Sequence, residues 1–293
     1  MKKFLKITGV VLVVILLAAG GMAFYAYRSA GSIPEFYKRH RPTGEARLAA
    51  LENIERKMMN LQGRFDQAVA TNRQGENGDT DAVPLEPVEI AFSADELDVT
   101  LDGWLASSGL KERMEAYLED PRLALVDDHL VLAGTMPELG GRVVSIHLVP
   151  EVADNGRARL TLDGIYAGRL SLPDMVMAPM RDRSVQALLE KSAPLRDKAA
   201  IDDTGAANSE AAQVATFDQL AILLQRQPLD EMVLFPRLAS GDAVPARVES
   251  LVIAEGNLTL GFAPLPATER SELLERIQTP PEIKPDPEVE GEA

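Results

Sequence analysis

The strongest constraint on this chain is an uncharged stretch from Ile7 to Tyr27, close to its start. A helix of that length covers roughly 30 Å at about 1.5 Å per residue, which matches the hydrocarbon core of a bilayer. Three lysines precede the stretch, and aromatic residues stand at its far end, where an interfacial belt is expected. The stretch therefore predicts a transmembrane anchor that includes Ile7, Leu12, Leu16, Phe24 and Tyr27.

A cleaved signal peptide is the alternative interpretation, because it also combines a basic start with an apolar stretch. The stretch is longer than a usual signal core, and the nearest cleavage candidate, before Gly31, has Arg28 at a critical position. An uncleaved anchor is therefore favoured. A long following domain is insensitive to the nearly balanced basic residues on the two sides. We expect a single-pass protein of the bacterial inner (cytoplasmic) membrane, with residues 1–6 in the cytoplasm, the anchor at 7–27 and an extracytoplasmic domain.

Composition narrows the classes of function. The formal net charge of -15 is concentrated after the anchor, since the first forty or so residues are basic. So acidic a domain is repelled by phosphate backbones, and nucleic acid is not expected as a partner. The absence of cysteine excludes disulfides, thiolate metal sites and a cysteine nucleophile.

The region 28–87 is predicted to hold a juxtamembrane helix and a linker. Apolar residues from Leu48 to Val69 recur at steps of three and four, which predicts an amphipathic helix starting near Thr43. This helix over residues 43–72 is interpreted either as a partner-binding stalk or as a helix packed on its own domain. The second interpretation is favoured because the repeat is short for a coiled coil. Residues 71–87 are rich in Gly, Asn, Asp and Pro and predict a linker.

The main domain is expected at 88–267. Ser93 and Glu96 have the spacing of a capping box, so a helix should start there and run past Trp104. A second short helix is predicted from Leu110 to Leu118. After it the apolar period changes to two and predicts an antiparallel meander with one buried face.

Within the meander, turns are predicted at Asp127-Asp128 and, as type I′, at Asn155-Gly156. Leu160, Leu162 and Tyr166 are predicted to share one face of a strand. After the meander, the sequence predicts a helix at 175–191, a polar insertion or mobile loop at 192–212 and a helix at 217–225. A strand at 232–238 and a hairpin around Glu255-Gly256 are predicted to follow. Residues 268–293 are predicted to form a short helix and an acidic, Pro-rich disordered tail. The predicted fold class is α+β, with an N-terminal transmembrane helix, an amphipathic stalk helix and an antiparallel curved sheet packed against helices.

No residue pattern predicts catalysis. His40, His129 and His147 are far apart in the sequence and lack metal-ligand spacing, so each is interpreted as exposed or structurally satisfied. The acidic groups around Asp95, Asp127 and Asp202 lack the spacing of a calcium loop and are explained by a cap, a turn and a solvated loop. No catalytic residue, cofactor or metal ligand is predicted.

A methionine cluster is the one candidate binding feature. Flexible thioethers suit variable apolar ligands such as acyl chains. An ordinary helix packed on the sheet is the favoured alternative. The candidate contacts for an apolar ligand are Trp104, Met175, Val176, Met177 and Met180.

The order of anchor, helix after Phe92-Ser93-Ala94-Asp95-Glu96-Leu97, meander and Gly168-Arg169-Leu170-Ser171-Leu172-Pro173 resembles the YpmS-like group of bacterial single-pass membrane proteins. The resemblance covers about half of the chain, from Val88 to Met180 and the closing hairpin. The chain departs from it at Asp98, where asparagine is expected, and in the segment 192–212. The resemblance implies an exported α+β domain that binds lipid and has no known catalytic residue.

Two functions follow from these observations. The first is a non-enzymatic envelope protein that binds a lipid or another apolar ligand close to the bilayer. The second is a structural or assembly protein that engages envelope proteins through its 43–72 helix. An enzyme ranks third, because no acid, base and nucleophile are visible together.

Overall fold

The computed structural model describes residues 28–77, 87–107, 118–202 and 204–281. The predicted anchor at 7–27, almost all of the predicted 110–118 helix and the tail after residue 281 lie outside these ranges. Among the described residues, no helix combines the length and the apolar character needed to cross a bilayer. The α+β class and the antiparallel sheet are confirmed.

The described residues contain six complete α-helices, a 3₁₀ helix (Pro137–Leu139) and nine strands. The helices are α1 (Glu35–Lys38), α2 (Gly44–Asn77), α3 (Ala94–Ser107), α4 (Asp174–Arg196), α5 (Ser209–Leu224) and α6 (Ala267–Gln278). The strands are β1 (Val88–Ser93), β2 (Glu119–Val126), β3 (His129–Met136), β4 (Arg142–Val152), β5 (Ala158–Ala167), β6 (Leu170–Ser171), β7 (Val233–Leu234), β8 (Ala246–Ala254) and β9 (Asn257–Pro264). The predicted strand at 232–238 is thus only two residues long.

The strands build two antiparallel sheets. One has the order β1-β9-β8-β7 and the other the order β2-β3-β4-β5-β6. A pair of backbone hydrogen bonds joins Leu160 of β5 to Leu229, with N–O distances of 3.2 and 2.9 Å. Buried apolar residues at this junction bring β5, β8 and α5 into one core: Ala158, Leu160, Leu223, Leu229, Met232 and Val248.

Helix α2 packs on the four-stranded sheet. Leu61, Phe65 and Val69 are buried and form a cluster with Val88 and Phe262. This contact agrees with the favoured interpretation, a helix packed on its own domain. The first half of α2 is different, because several of its apolar side chains remain exposed: Leu48, Leu51, Met58 and Met59.

The predicted capping box at the start of α3 is confirmed. The Ser93 amide donates to Glu96 Oε2 at 2.8 Å, and the Glu96 amide donates to Ser93 Oγ at 3.3 Å. The Glu96 carboxylate also accepts hydrogen bonds from two α2 side chains, Lys57 at 2.7 Å and Asn53. One buried carboxylate therefore joins α2, β1 and α3.

The segment before α2 is fastened to the five-stranded sheet. The Arg169 amide donates to the Ser29 carbonyl oxygen at 3.0 Å. Gly168, at φ 59°, lies so close to the carbonyl oxygens of this segment that a Cβ could not be accommodated. Further along, Tyr37 Oη donates to the Asp120 carbonyl oxygen at 3.0 Å, and the Arg122 guanidinium lies 4.7 Å from the Tyr37 ring centroid.

Asp98 is explained by the same segment. Arg41 Nε lies 2.9 Å from Asp98 Oδ2, and the Asp98 side chain is 9% exposed. The Arg41 guanidinium is partly buried, and a charged acceptor compensates its charge there. Asparagine, the residue expected from the resemblance, would leave the charge of Arg41 less compensated.

Two hairpin turns lie where the sequence predicts them, but one of them has a different geometry. Glu255 and Gly256 both have positive φ, 51° and 74°, as a type I′ hairpin requires. In the turn predicted as type I′, at Asn155-Gly156, positive φ is found at Gly156 and not at Asn155. The Gly156 amide donates to the Ala153 carbonyl oxygen at 2.8 Å, and the Ala153 amide donates to the Arg157 carbonyl oxygen at 2.8 Å. This pattern is a longer loop with Gly156 at its left-handed position.

The segment 192–212 belongs to the core, in contrast to the predicted polar insertion or mobile loop. Its first residues complete α4, and its last residues begin α5. Ala199, Ala207 and Ala211 are buried in a cluster with Leu273 and Ile277 of α6. Alanine side chains fill this core because the backbone segments approach closely, which a hydropathy pattern does not reveal.

We predict that Glu96→Gln lowers the free energy of unfolding by about 2 kcal/mol at pH 7, because it removes a charged acceptor at a junction of three elements. Burial alone would raise the pKa of Glu96, but hydrogen bonds from Lys57, the Ser93 backbone and Asn53 outweigh it and lower the pKa. The stabilisation is therefore present above the ordinary pKa of glutamate and is lost as the pH falls through the lowered pKa.

Urea denaturation at pH 7 and at about pH 3 checks this prediction. The difference between wild type and Glu96→Gln should shrink as the pH falls below the ordinary pKa of glutamate and through the lowered pKa of Glu96. Asp95→Asn is the matched control, since Asp95 is exposed in the same helical turn. Equal losses for the two variants, or a loss for Glu96→Gln that does not depend on pH, would contradict the role given to Glu96.

Candidate functional site

The predicted ligand contacts are only partly placed by the structure. Met177 is partly buried against Val144, Leu162 and Ile165, on one face of the five-stranded sheet. The side chains of Trp104, Met175, Val176 and Met180 lie outside what the structure describes. Met177 therefore contributes to the packing of α4 on the sheet, which agrees with the favoured alternative for the methionine cluster.

The structure brings together two histidines that are far apart in the sequence. His129 and His147 lie with ring centroids 5.8 Å apart, and Tyr166 lies 4.5 Å from His147. A bulge explains this arrangement: His147 pairs with Gly164 and Leu148 with Leu162, so that Asp163 is an extra residue in β5. The predicted common face of Leu162 and Tyr166 is therefore wrong, since the bulge moves Tyr166 to the histidine face.

The histidine cluster does not present an accessible nucleophile. Ser145 Oγ and His147 Nε2 lie 3.0 Å apart, but Ser145 is 1% exposed. Burial lowers the pKa of His147, and the neighbouring His129 lowers it further, against the opposing charge of Asp163. Within the described ranges, no group of three or more histidine or acidic side chains has an arrangement that could hold a metal ion. The cluster is best explained as packing beneath Phe36, whose ring centroid lies 6.2 Å from that of His147.

A groove between α5, the segment 227–233 and the end of α6 is the best candidate for a binding site. Its volume is about 690 Å³, within the range of ligand pockets in proteins. Its apolar lining comes from α5, from the segment after it and from α6: Ala215, Ile222, Pro228, Leu229, Val233, Leu273, Ile277, Pro280 and Pro281. Leu273 and Ile277 are also core residues, so the floor of the groove rests on the cluster that contains Ala199 and Ala211.

Arg196 fixes the walls of this groove. It is 5% exposed and donates to both carboxylate oxygens of Asp218 on α5, at 2.6 and 2.9 Å. It also donates to the carbonyl oxygens of Ile277 and Thr279 at the end of α6, at 2.7 and 3.2 Å, and to Ser192 Oγ at 3.0 Å. One guanidinium from α4 therefore sets the separation of α5 and α6.

Asp218 is held in an unusual environment by this contact. Burial raises the pKa of Asp218 above its ordinary value, although the hydrogen bonds and charge of Arg196 act in the opposite direction. Because a bidentate guanidinium–carboxylate pair is planar and directional, it fixes orientation as well as distance. The wall of the groove is thus preorganised before any ligand enters.

A second cavity of about 430 Å³ adjoins the groove and is more polar. The two share Glu231, Val233, Glu272, Leu273 and Arg276. An ion pair between Arg276 and Glu231 lies at this shared boundary. The second cavity adds three charged side chains: Arg157 from the loop before β5, Arg247 of β8 and Glu269 of α6. An apolar compartment and a charged compartment are thus continuous.

Sequence reasoning missed this groove for a physical reason. Its walls come from α5 and α6, and its key cation, Arg196, lies in the segment predicted as a polar insertion. Arg196 and Ile277 are 81 residues apart in the sequence. The periodicity of apolar residues within single elements therefore could not predict the contact of Arg196 with Asp218 and Ile277. The two prolines after Ile277 were the available signal, because they end α6 at the mouth of the groove.

Comparison of the chain with protein-family models, with curated proteins and with solved structures finds no match. The YpmS-like resemblance stays a prediction.

We predict that Arg196→Met costs about 3–5 kcal/mol of the free energy of unfolding, because it leaves the Asp218 carboxylate buried without its partner. Without Arg196 the pKa of Asp218 should rise further, so the folded state binds the proton more tightly than the unfolded state. Stability of the variant should therefore be greater in acid and decline as the pH rises.

The double variant Arg196→Met/Asp218→Leu serves as the control, since it removes both charges together. Urea denaturation should show a smaller loss for the double variant than for Arg196→Met at pH 7. A loss for the double variant at least as large as that of Arg196→Met, with no dependence on pH, would contradict the coupling of these two side chains.

Proposed function

We propose that this protein is a non-enzymatic, membrane-anchored extracytoplasmic protein of the bacterial inner membrane that binds a lipid or another apolar ligand. The observation that carries the proposal is the apolar groove of about 690 Å³ between α5 and α6. Ligand sites combine an apolar lining with a few polar groups at fixed positions, as this groove does. The histidine cluster is the strongest alternative chemical site, and its serine is buried.

The fastening of the segment 29–41 supports a role close to the bilayer. If residues 7–27 span the membrane, Ser29 lies at its surface, and its bond to Arg169 holds the five-stranded sheet there. The groove lies beyond the other end of β5, next to Leu229, which pairs with Leu160. From Leu160 to Ala167 the strand covers roughly 23 Å at about 3.3 Å per residue. Leu229 therefore lies roughly 23 Å along the sheet from the end of β5 that is fastened to Ser29.

Filling the groove tests the proposal. We predict that Ile222→Trp reduces binding of an apolar probe at least about tenfold, because the indole occupies the space between α5 and α6. The measurement is photolabelling of the full chain in lipid nanodiscs with diazirine-bearing dodecanol, with adducts located by mass spectrometry. Leu220→Trp is the control, because Leu220 is exposed on the same helix and does not line the groove.

Adducts should concentrate on the peptides that contain the α5 and α6 walls, and Leu220→Trp should label like the wild type. Labelling that spreads evenly over the domain surface, or that Ile222→Trp leaves unchanged, would overturn the proposal. Circular dichroism of both variants separates a filled groove from a misfolded domain.

A second function is favoured by the first half of α2. Leu48 and Met59 are 61% and 60% exposed, and Leu51 and Met58 are 41% and 46% exposed. Exposed apolar side chains on one helix are typical of a surface that packs against a partner. The alternative is thus an envelope structural or assembly protein that engages other proteins through its 43–72 helix.

Crosslinking in intact cells distinguishes this alternative. Under it, Leu48→Ser/Leu51→Ser/Met59→Ser should lose the crosslinked partners, because three of the four exposed apolar side chains are removed while the buried half of α2 is kept. Ala46→Ser/Gln67→Ser is the control on exposed positions of the same helix. Partners that are unchanged in the triple variant would rule the helix out as a docking surface.

A further inference from the structure

The mouth of the groove carries an excess of negative charge. Five carboxylates line it, against a single cation, Arg276. Three of the five are compensated: Asp218 by Arg196, Asp230 by Arg159, and Glu231 by Arg276. The remaining two, Glu272 and Glu275, are exposed on α6 and have no ion-pair partner among the described residues.

Glu272 and Glu275 stand three residues apart, so both point from the same side of α6 toward the groove that they line. A polar head group beside α6 therefore meets these two carboxylates, while an apolar tail meets Ile222, Leu273 and Ile277.

On the basis of the proposed function, we propose that the ligand of this groove is an amphiphile with a cationic head group, such as an ammonium. The tail occupies the apolar compartment, and the head lies beside Glu272 and Glu275. An anionic head group is repelled at this position, and a neutral one gains nothing from the two carboxylates. Glu272 and Glu275 thus determine which head group is preferred, while the apolar compartment contributes most of the affinity.

The adjoining cavity offers the alternative position for a head group. Arg247 is bound there by Glu249 and Glu269, and Arg276 is bound by Glu231. Arg157 is the cation of this cavity whose side chain has no ion-pair partner among the described residues, and Glu272 lies in the same cavity. An anionic amphiphile could use Arg157, but it would have to bring its charge next to Glu272.

Three photoactivatable probes that differ only in the head group test the inference: diazirine-bearing dodecylamine, dodecanol and dodecanoic acid. The full chain in zwitterionic nanodiscs is labelled with each, and groove adducts are counted. To cancel differences in partition into the lipid, each wild-type value is divided by that of Glu272→Gln/Glu275→Gln. The expected ratio is at least about tenfold for the amine, near one for dodecanol and below one for the acid.

Glu138→Gln/Glu151→Gln is the control, since it changes the net charge equally at exposed positions that do not line the groove. It should leave all three probes unchanged, and added salt should reduce the preference for the amine.

The outcomes separate the two proposals. If no probe, including dodecanol, labels the groove, the proposed function fails. If dodecanol labels the groove but the amine ratio is one, the function stands and the cationic preference is overturned. The preference is also overturned if the acid labels most strongly and Arg157→Gln abolishes that labelling, since the head would then lie in the adjoining cavity.

Discussion

The groove depends on one buried ionic contact, the guanidinium of Arg196 with Asp218 and with the last carbonyl oxygens of α6. A buried arginine is costly unless each of its donors is used. Here the two terminal nitrogens of the guanidinium donate to Asp218, Ser192, Ile277 and Thr279. These contacts offset the free-energy cost of burying the charge. They also fix the spacing between α5 and α6. Because α5 and α6 are held apart, the space between them remains open.

The rest of the fold supports this spacing. The cluster of Ala199, Ala211 and Val214 places small side chains beneath the floor of the groove, so that α5 and α6 rest on a packed base. On the other side, the Leu160–Leu229 bridge joins the segment 227–233 to the five-stranded sheet. That sheet is in turn fastened to the residues that follow the predicted anchor. A continuous path of packed elements therefore runs from Ser29 to the groove.

Patterns of neighbouring residues predicted the caps, turns and helix faces. They did not predict features that depend on contacts between residues far apart in the sequence. The capping box at Ser93 and Glu96, the hairpin at Glu255-Gly256 and the amphipathic face of α2 each follow from a few neighbouring residues. The bulge at Asp163 could not be predicted, because one extra residue in a strand leaves no trace in composition yet reverses the face of Tyr166. The same holds for the groove, since Arg196 and Ile277 meet only after α4, α5 and α6 have packed.

The central claim is that a preorganised apolar groove lies between α5 and α6 and accepts the tail of an amphiphile. Its most direct test is a crystal structure of the full chain grown with a terminally brominated dodecyl ligand, with bromine located by anomalous scattering. The account predicts a bromine peak within van der Waals contact of Ile222, Leu273 or Ile277, with the bonds of Arg196 unchanged. A groove filled by the protein's own side chains, or bromine found only elsewhere on the domain, would contradict it.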